Sequence, residues 1–179
     1  VQVVCCRLSP LQEAIYRHFL QSKGVAEMMA DGKRSKVLTS ITLLKKLCNH
    51  PKLVFDAKRA SSSAGEGGAA GFEDVESFFP PNFARERSSC FEMGGKFRLV
   101  AEMLSLLRAR TEDRIVIVSN YTQTLDYVSL LCRERHYPVI RLDGTTAPGK
   151  RQKLVDQFND PKRDEFVFRP ELVVRGSTG

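Results

Sequence analysis

Residues 115–144 read IVIVSNYTQTLDYVSLLCRERHYPVIRLDG, and this stretch decides the predicted fold. It opens with the apolar run 115–118, which is typical of a strand covered on both faces. A polar loop, a helix-period segment, a second apolar run at 139–140 and a second polar loop follow. This order predicts a βαβ unit of an α/β fold with a parallel sheet. Its two polar loops should lie at the carboxyl ends of the strands, where open α/β sheets bind ligands.

The composition is that of an ordinary globular domain, with 42% hydrophobic and 27% charged residues in a chain of 179. A net charge of +7 favours an anionic partner such as nucleic acid, although scattered surface lysine and arginine explain it equally well. No apolar run approaches the ~20 residues that span a bilayer, so no membrane association is predicted. Five cysteines without paired spacing predict neither a disulfide framework nor a zinc site.

The N-terminal part, residues 1–56, predicts a short strand at 2–6 followed by a helical hairpin. The sequence from Ser9 to Gln12 has the pattern of a capping box, with proline at the first helical position. A second helix is predicted from about Ser35 to Asn49, and Pro51 should end it. The apolar faces of the two helices need a partner layer.

Residues 57–93 change in composition. Serine, glycine and alanine dominate 60–71, which predicts a flexible linker. The apolar island 78–83, Phe-Phe-Pro-Pro-Asn-Phe, lies within it. This island is interpreted either as a local anchor on the core or as a docking peptide for another chain.

Several segments, in the right order, resemble the SWI/SNF-like ATPases of helicase superfamily two, most of all their homologous-recombination branch. They are 44–51 (LKKLCNHP), 119–126 (SNYTQTLD), 141–145 (RLDGT), 150–159 and 166–168 (FVF). The resemblance implies an interlobe helical region at 1–56, the linker at 57–93, the first half of a RecA-like C-terminal lobe at 94–168, and a tail at 169–179 that lies outside the family pattern. The expected fold is therefore α/β, with a partial RecA-like parallel sheet.

The polar loops are candidates for contacts with nucleic-acid phosphates. Small polar side chains and backbone N–H groups at a helix N-terminus suit phosphate oxygens, and simple helix capping by Thr122 is the alternative. After the second strand, Thr145 can donate to a phosphate, and a turn closed by Asp143 is the alternative. The resemblance implies that both loops face DNA. The candidate DNA-backbone residues are Ser119, Asn120, Thr122, Gln123, Gly144, Thr145, Lys150 and Arg151.

The pair Gly95-Lys96 invites a phosphate-loop interpretation, but Cys90 and Phe97 stand where that motif needs glycine and serine or threonine. In the family this pair opens a helix, so Lys96 is expected to be at most an auxiliary ATP contact, with a solvated lysine as the alternative. Neither a catalytic centre nor a metal-ligand spacing is found in the sequence.

The predicted function is that of a fragment of an ATP-dependent double-stranded-DNA translocase acting in homologous recombination and DNA repair. The resemblance implies ATP and Mg²⁺ as cofactors of the longer motor, none bound tightly by this segment, a recombinase filament as a partner, and a nuclear location. Two alternatives stay open: a non-catalytic protein-interaction module built on the hairpin and the apolar island, and a fragment of a sibling chromatin remodeller.

Overall fold

A computed structural model describes residues 1–31, 34–63 and 71–170. The chain divides into two compact units, Val1–Ala101 and Glu102–Gly179. The helices are α1 (Pro10–Gln21), α2 (Lys23–Asp31), α3 (Arg34–Asn49), α4 (Pro51–Ser63), α5 (Gly95–Arg110), α6 (Thr122–Glu134) and α7 (Pro148–Asn159). The strands are β1 (Ile115–Val116), β2 (Val139–Leu142) and β3 (Val167–Pro170). Short 3₁₀ turns lie at Val75–Phe78, Phe83–Arg85 and Phe91–Met93.

The first unit begins with an extended segment, and the strand predicted at 2–6 is not formed. Val1, Val3 and Val4 are exposed, because the described part of this unit contains no sheet with which they could pair. The predicted capping box is confirmed at the start of α1. Ser9 Oγ accepts from the Gln12 N–H at 3.1 Å, and the Ser9 N–H donates to Gln12 Oε1 at 2.9 Å.

The predicted hairpin is a larger helical array, since α2 and α4 were missed. Helix α3 ends at Asn49, before Pro51, as predicted, and Pro51 itself begins α4, where a proline at the first helical position loses no hydrogen bond. A proline that ends one helix can thus begin the next.

The linker predicted at 57–93 is too long at both ends. Residues 57–63 continue α4, and 64–70 lie outside the described residues. From residue 71 the chain packs into the first unit, because Phe72 and Val75 are buried and the Phe72 ring lies 5.0 Å from that of Phe19. Apolar burial thus orders a segment that follows directly on a glycine-rich run.

The apolar island is a core element, as the local-anchor interpretation predicted. Phe79 and Phe83 are buried, and their ring centroids lie 4.8 and 5.1 Å from that of Phe55 on α4. Because these rings are buried in the first unit, they are not available for contact with another chain, as the docking-peptide interpretation requires.

The second unit contains a parallel three-stranded sheet in the order β1-β3-β2. The predicted βαβ unit is confirmed, with β3 inserted between its two strands. The predicted burial of 115–118 on both faces is wrong, since Val116 and Val118 are 53% and 52% exposed. Within the described residues β1 pairs with β3 on one side only.

Two helices of this unit bury the apolar faces that the sequence predicts. Helix α6 buries four side chains, namely Leu125, Val128, Leu131 and Cys132. Helix α7 packs Phe158 against Ile140 and Phe168, with the two phenyl rings stacked at 5.1 Å. Strand β3 continues through Arg169 to Pro170, so the boundary expected at 168 cuts into a strand. The remaining part of the tail, 171–179, lies outside the described residues.

Candidate nucleic-acid interface

The candidate residues of the second unit converge on the carboxyl edge of the parallel sheet. Helix α6 follows β1 and helix α7 follows β2, so both helices begin at this edge with their polar loops beside them. A helix N-terminus presents N–H groups and a partial positive charge to an anion. The sequence prediction that the two loops share one edge is therefore confirmed.

The loop before α6 is closed by Ser119, whose Oγ accepts from the Tyr121 N–H at 3.1 Å. Thr122 is not the cap that the alternative interpretation expected, because it is the first helical residue and Tyr121 occupies the N-cap position. The Tyr121 side chain makes no capping hydrogen bond in the described structure. Asn120 and Gln123 are exposed beside this helix end.

The loop after β2 is organised by Asp143, which is 7% exposed and was not among the candidate site residues. Its Oδ1 accepts from the Thr145 N–H at 2.9 Å, from the Thr145 hydroxyl at 2.5 Å and from the Thr146 hydroxyl at 3.3 Å. Its Oδ2 accepts from the Arg141 guanidinium. The Thr145 hydroxyl and the Arg141 guanidinium hold the pKa of this carboxyl at about 2, so it is an anion at neutral pH.

Arg151 and Lys150 open helix α7 and differ in what they contact. Arg151 folds back on the loop, donating from Nε to the Thr146 carbonyl at 3.1 Å and from Nη2 to the Asp143 carbonyl at 3.3 Å. A guanidinium has five N–H donors, so these two bonds leave capacity for a phosphate. Lys150 is exposed in the first turn of the helix. Ala147, the N-cap residue, provides no side-chain cap.

A second charged group lies at the same edge and was missed from the sequence. Arg169 on β3 is 3% exposed and donates to Asp126 Oδ1 of α6 at 3.2 Å, and Arg141 Nη1 lies 3.7 Å from the same oxygen. Burial lowers the pKa of Arg169. Its Nε finds no hydrogen-bond partner among the described residues. The three partners are up to 43 residues apart, so spacing in the sequence offers no signal for them.

Lys96 belongs to the first unit, where it is exposed at the start of α5 and donates from Nζ to Asn49 Oδ1 at 3.2 Å. The preceding Gly95 is held closely, because a Cβ there would lie 2.0 Å from the Arg7 carbonyl oxygen. The glycine is thus explained by packing, and the ATP contact expected for Lys96 stays a prediction.

Neither a metal-ligand cluster nor a membrane-spanning helix is present in the part of the chain that the structure describes. No group of three or more histidine, cysteine, aspartate or glutamate side chains there could hold a metal ion. No helix in that part of the chain has the length and apolarity to cross a membrane.

Comparisons with known proteins agree with this architecture. Residues 95–178 match the family described as "Helicase conserved C-terminal domain", a range that runs past the boundary expected at 168. The chain is 54% identical over 177 residues to "DNA repair and recombination protein RAD54" of Oryza sativa subsp. japonica, covering 94% of this chain and 18% of the relative. It is 48% identical to "Protein CHROMATIN REMODELING 25" of Arabidopsis thaliana over 94% of this chain and 19% of that relative.

Two solved structures share the fold. The "Sulfolobus solfataricus SWI2/SNF2 ATPase C-terminal domain" aligns with a TM-score of 0.62 at 17% identity, over 94% of this chain and 62% of that one. The "Sulfolobus solfataricus SWI2/SNF2 ATPase core in complex with dsDNA" aligns with a TM-score of 0.59 at 16% identity, over 93% and 30%.

Residues 95–178 thus match the helicase C-terminal domain, and over 94% of its length the chain is similar to the rice RAD54 protein, of which it spans 18%. The partial RecA-like sheet of the predicted lobe, 94–168, has the fold of the C-terminal lobe of SWI2/SNF2 ATPases. The carboxyl edge of that sheet, with residues 119–123 and 143–151, is the candidate interface.

Proposed function

We propose that this SWI/SNF-like segment belongs to an ATP-dependent double-stranded-DNA translocase that acts in homologous recombination and DNA repair. Within it, the loops 119–123 and 143–151 contact the phosphate backbone of DNA. The proposal is supported by the RAD54-type relatives, by a net charge of +7, and by the fold shared with the "Sulfolobus solfataricus SWI2/SNF2 ATPase core in complex with dsDNA".

The observation that carries the proposal is that two neighbouring helix N-termini lack a side-chain cap in the described structure. Helices α6 and α7 both begin at the carboxyl edge of the sheet, and the N-cap side chains of both, Tyr121 and Ala147, make no capping bond in the described structure. Backbone N–H groups at such an end suit phosphate oxygens. Helix α1 of the same chain has a complete capping box, so the sequence provides a cap elsewhere and omits it here.

The loop residues hold the DNA by its sugar–phosphate backbone. Ser119, Asn120, Gln123 and Thr145 have uncharged polar side chains that suit phosphate and sugar oxygens, and Lys150 adds an exposed cation. Contacts of this kind carry no sequence information, which suits a motor that must move along any duplex. The DNA role of Thr145 requires that its hydroxyl be shared between Asp143 and a phosphate.

ATP, Mg²⁺, a recombinase filament as partner and a nuclear location belong to the proposal for the longer motor. The described residues supply only one candidate for an ATP contact, the exposed Lys96, together with no metal-binding cluster. No step of ATP hydrolysis is therefore assigned to the side chains of this segment. Nucleotide bound by the longer protein would supply the energy that moves this DNA-binding edge.

The interaction-module alternative finds less support, because the aromatic rings on which it depended are buried in the first unit. A chromatin-remodelling role remains an alternative, since the name of the Arabidopsis relative refers to that activity. Stimulation of recombinase-driven strand exchange, measured beside sliding of nucleosomes, separates the two roles.

Lys150→Ala in a full-length protein carrying this segment tests the proposed DNA contact. Loss of the lysine side chain should weaken binding equally for duplexes of unrelated sequence. The slope of the logarithm of the binding constant against the logarithm of the salt concentration should become shallower by about 0.9, the value for one phosphate contact. The matched control is Lys162→Ala, an exposed lysine in the turn after α7, at the far end of that helix. Equal effects of the two substitutions on affinity and slope would contradict the assignment of the carboxyl edge.

The isolated 179-residue chain provides a second test. We expect no DNA-stimulated phosphate release from it, because its Gly95-Lys96 pair lacks the rest of a phosphate-loop motif. Turnover above that of a no-protein control would show that this segment carries a nucleotide site of its own.

A further inference from the structure

A line of alternating charges runs along the carboxyl edge of the sheet. Arg169 on β3 contacts Asp126 on α6 at 3.2 Å, Asp126 lies 3.7 Å from Arg141 on β2, and Arg141 donates to Asp143. Four structural elements are joined in this way: β3, α6, β2 and the loop after β2. The line therefore connects the helix that follows the first candidate loop with the second candidate loop.

The carboxylate of Asp143 determines the conformation of the second loop. It accepts from the backbone and hydroxyl of Thr145 and from the hydroxyl of Thr146, and its own N–H donates to Thr146 Oγ1 at 3.1 Å. The loop carbonyls of Asp143 and Thr146 accept in turn from Arg151. A charge-assisted bond is roughly twice as strong as a neutral one, so this anion is the main constraint on residues 143–146.

We infer that Asp126 and Asp143 are positioning residues that hold the two DNA-facing loops at a fixed separation. The inference rests on the proposed function and deepens it. Successive phosphates of a duplex have a set spacing, so two loops that bind the same backbone gain affinity when their separation is fixed before binding. Neither acid needs to touch DNA for this purpose.

The sign of the expected effect distinguishes positioning from simple electrostatics. Replacing either aspartate by asparagine removes one negative charge from a DNA-binding surface. Long-range electrostatics alone predicts tighter binding. Loss of positioning predicts weaker binding, because the asparagine amide turns donors toward Arg141 and the spacing of the loops is no longer held.

The test measures duplex affinity as a function of salt for Asp126→Asn and Asp143→Asn in a full-length protein carrying this segment. We expect each variant to bind about tenfold more weakly than the wild type, with a salt slope that is unchanged or steeper, because no cationic contact is lost. The matched control is Asp156→Asn, an exposed acid on α7 whose partner is Gln152. That variant should bind as tightly as the wild type or slightly more tightly.

A charge-neutral variant covers the case in which an aspartate variant fails to fold. Thr146→Val is close to isosteric, leaves the net charge unchanged and removes two loop bonds to Asp143. Positioning predicts weaker DNA binding at an unchanged salt slope, whereas electrostatics predicts no change. Thermal melting of each variant confirms that the affinity was measured on folded protein.

The outcomes separate this inference from the proposed function. If Lys150→Ala weakens binding but the folded aspartate variants and Thr146→Val bind at least as tightly as the wild type, the positioning role is wrong and the DNA-binding edge stands. If the wild-type protein does not bind duplex DNA, or Lys150→Ala behaves as its control does, the proposed edge fails and the inference fails with it.

Discussion

Gln12 and His50 of the first unit are fully buried, whereas Asn120 and Lys150 of the second stand exposed at a sheet edge. Both buried side chains form hydrogen bonds with backbone carbonyl groups of the same unit. Gln12 donates to the Leu47 carbonyl at 2.6 Å, and His50 Nε2 lies 2.9 Å from the Cys90 carbonyl oxygen. Polar groups in the first unit thus specify packing, whereas the exposed pair in the second can meet an outside ligand.

Both units also bury apolar side chains. The first contains a cluster that includes Phe55, Phe79 and Phe83. The second packs Phe158 against Ile140 and Phe168, and its helix α6 buries four further side chains. Substitutions at buried positions should therefore act on stability, and those at the exposed edge of the second unit on binding.

Phe55→Ala should have the largest effect on stability. It removes a ring that contacts Phe79 and Phe83 in a closed interior, and such truncations cost about 3–5 kcal/mol. Urea denaturation followed by circular dichroism measures the loss, and hydrogen exchange locates it in the first unit. Leu38→Ala, at a side chain that is 64% exposed, is the control and should cost less than about 1 kcal/mol. Equal costs would show that burial of the Phe55 ring does not determine its contribution to stability.

Acid should destabilise the first unit through His50. Burial lowers the pKa of His50 from 6.5 to about 4, so the folded state resists a proton that the unfolded state accepts. The stabilisation is complete above pH 6.5 and is lost as the pH falls toward 4, by about 3 kcal/mol at most. The free energy of unfolding should show this slope in the wild type but not in His50→Asn.

The control for the pH experiment is His136→Asn. His136 is exposed and has a φ of 55°, a left-handed conformation that asparagine tolerates. The slope between pH 6.5 and 4 should survive this substitution. A slope that persists in His50→Asn as well would assign the acid sensitivity to carboxylates.

Gln12→Leu should cost about 1–3 kcal/mol, because it leaves the Leu47 carbonyl and the Gly95 N–H without their side-chain partner. These groups lie on α3 and at the start of α5, so the loss should increase hydrogen exchange at both places. Gln152→Leu, at an exposed position of α7 where the amide donates to Asp156, is the matched control. A similar loss there would show that burial is not the cause.

The sequence predicted the periodic and local features well. The α6 stripe at Leu125, Val128, Leu131 and Cys132 and the capping box of α1 depend on residues a few positions apart, so pattern and propensity suffice. The shared carboxyl edge followed from the handedness and parallel order of the βαβ unit. These features required no knowledge of distant neighbours.

What the sequence missed depends on contacts between distant residues. Arg169 and Asp126 meet across 43 positions, and Asp143 was considered only as a turn residue. The residues after Gly71 fall within the predicted linker because the glycine-rich run 60–71 precedes them, while the burial of Phe72 depends on Phe19. Long-range pairing of this kind leaves no periodic signal along the chain.

The smallest effect expected concerns the missing cap of α7. Ala147→Ser places a hydroxyl at an N-cap position that has no side-chain cap, which should stabilise the second unit by about 0.5–1 kcal/mol. The reverse change in the first unit, Ser9→Ala, removes a working cap and should cost about as much or somewhat more.

If the N-terminus of α7 binds phosphate, the new hydroxyl competes for the same N–H groups, so Ala147→Ser should weaken DNA binding slightly while raising stability. The control is Ala109→Ser, at an exposed position in the last turn of α5, where the same substitution should lower stability slightly and leave DNA affinity unchanged. Stability and affinity that rise together in Ala147→Ser would show that the uncapped helix end does not contact the DNA backbone.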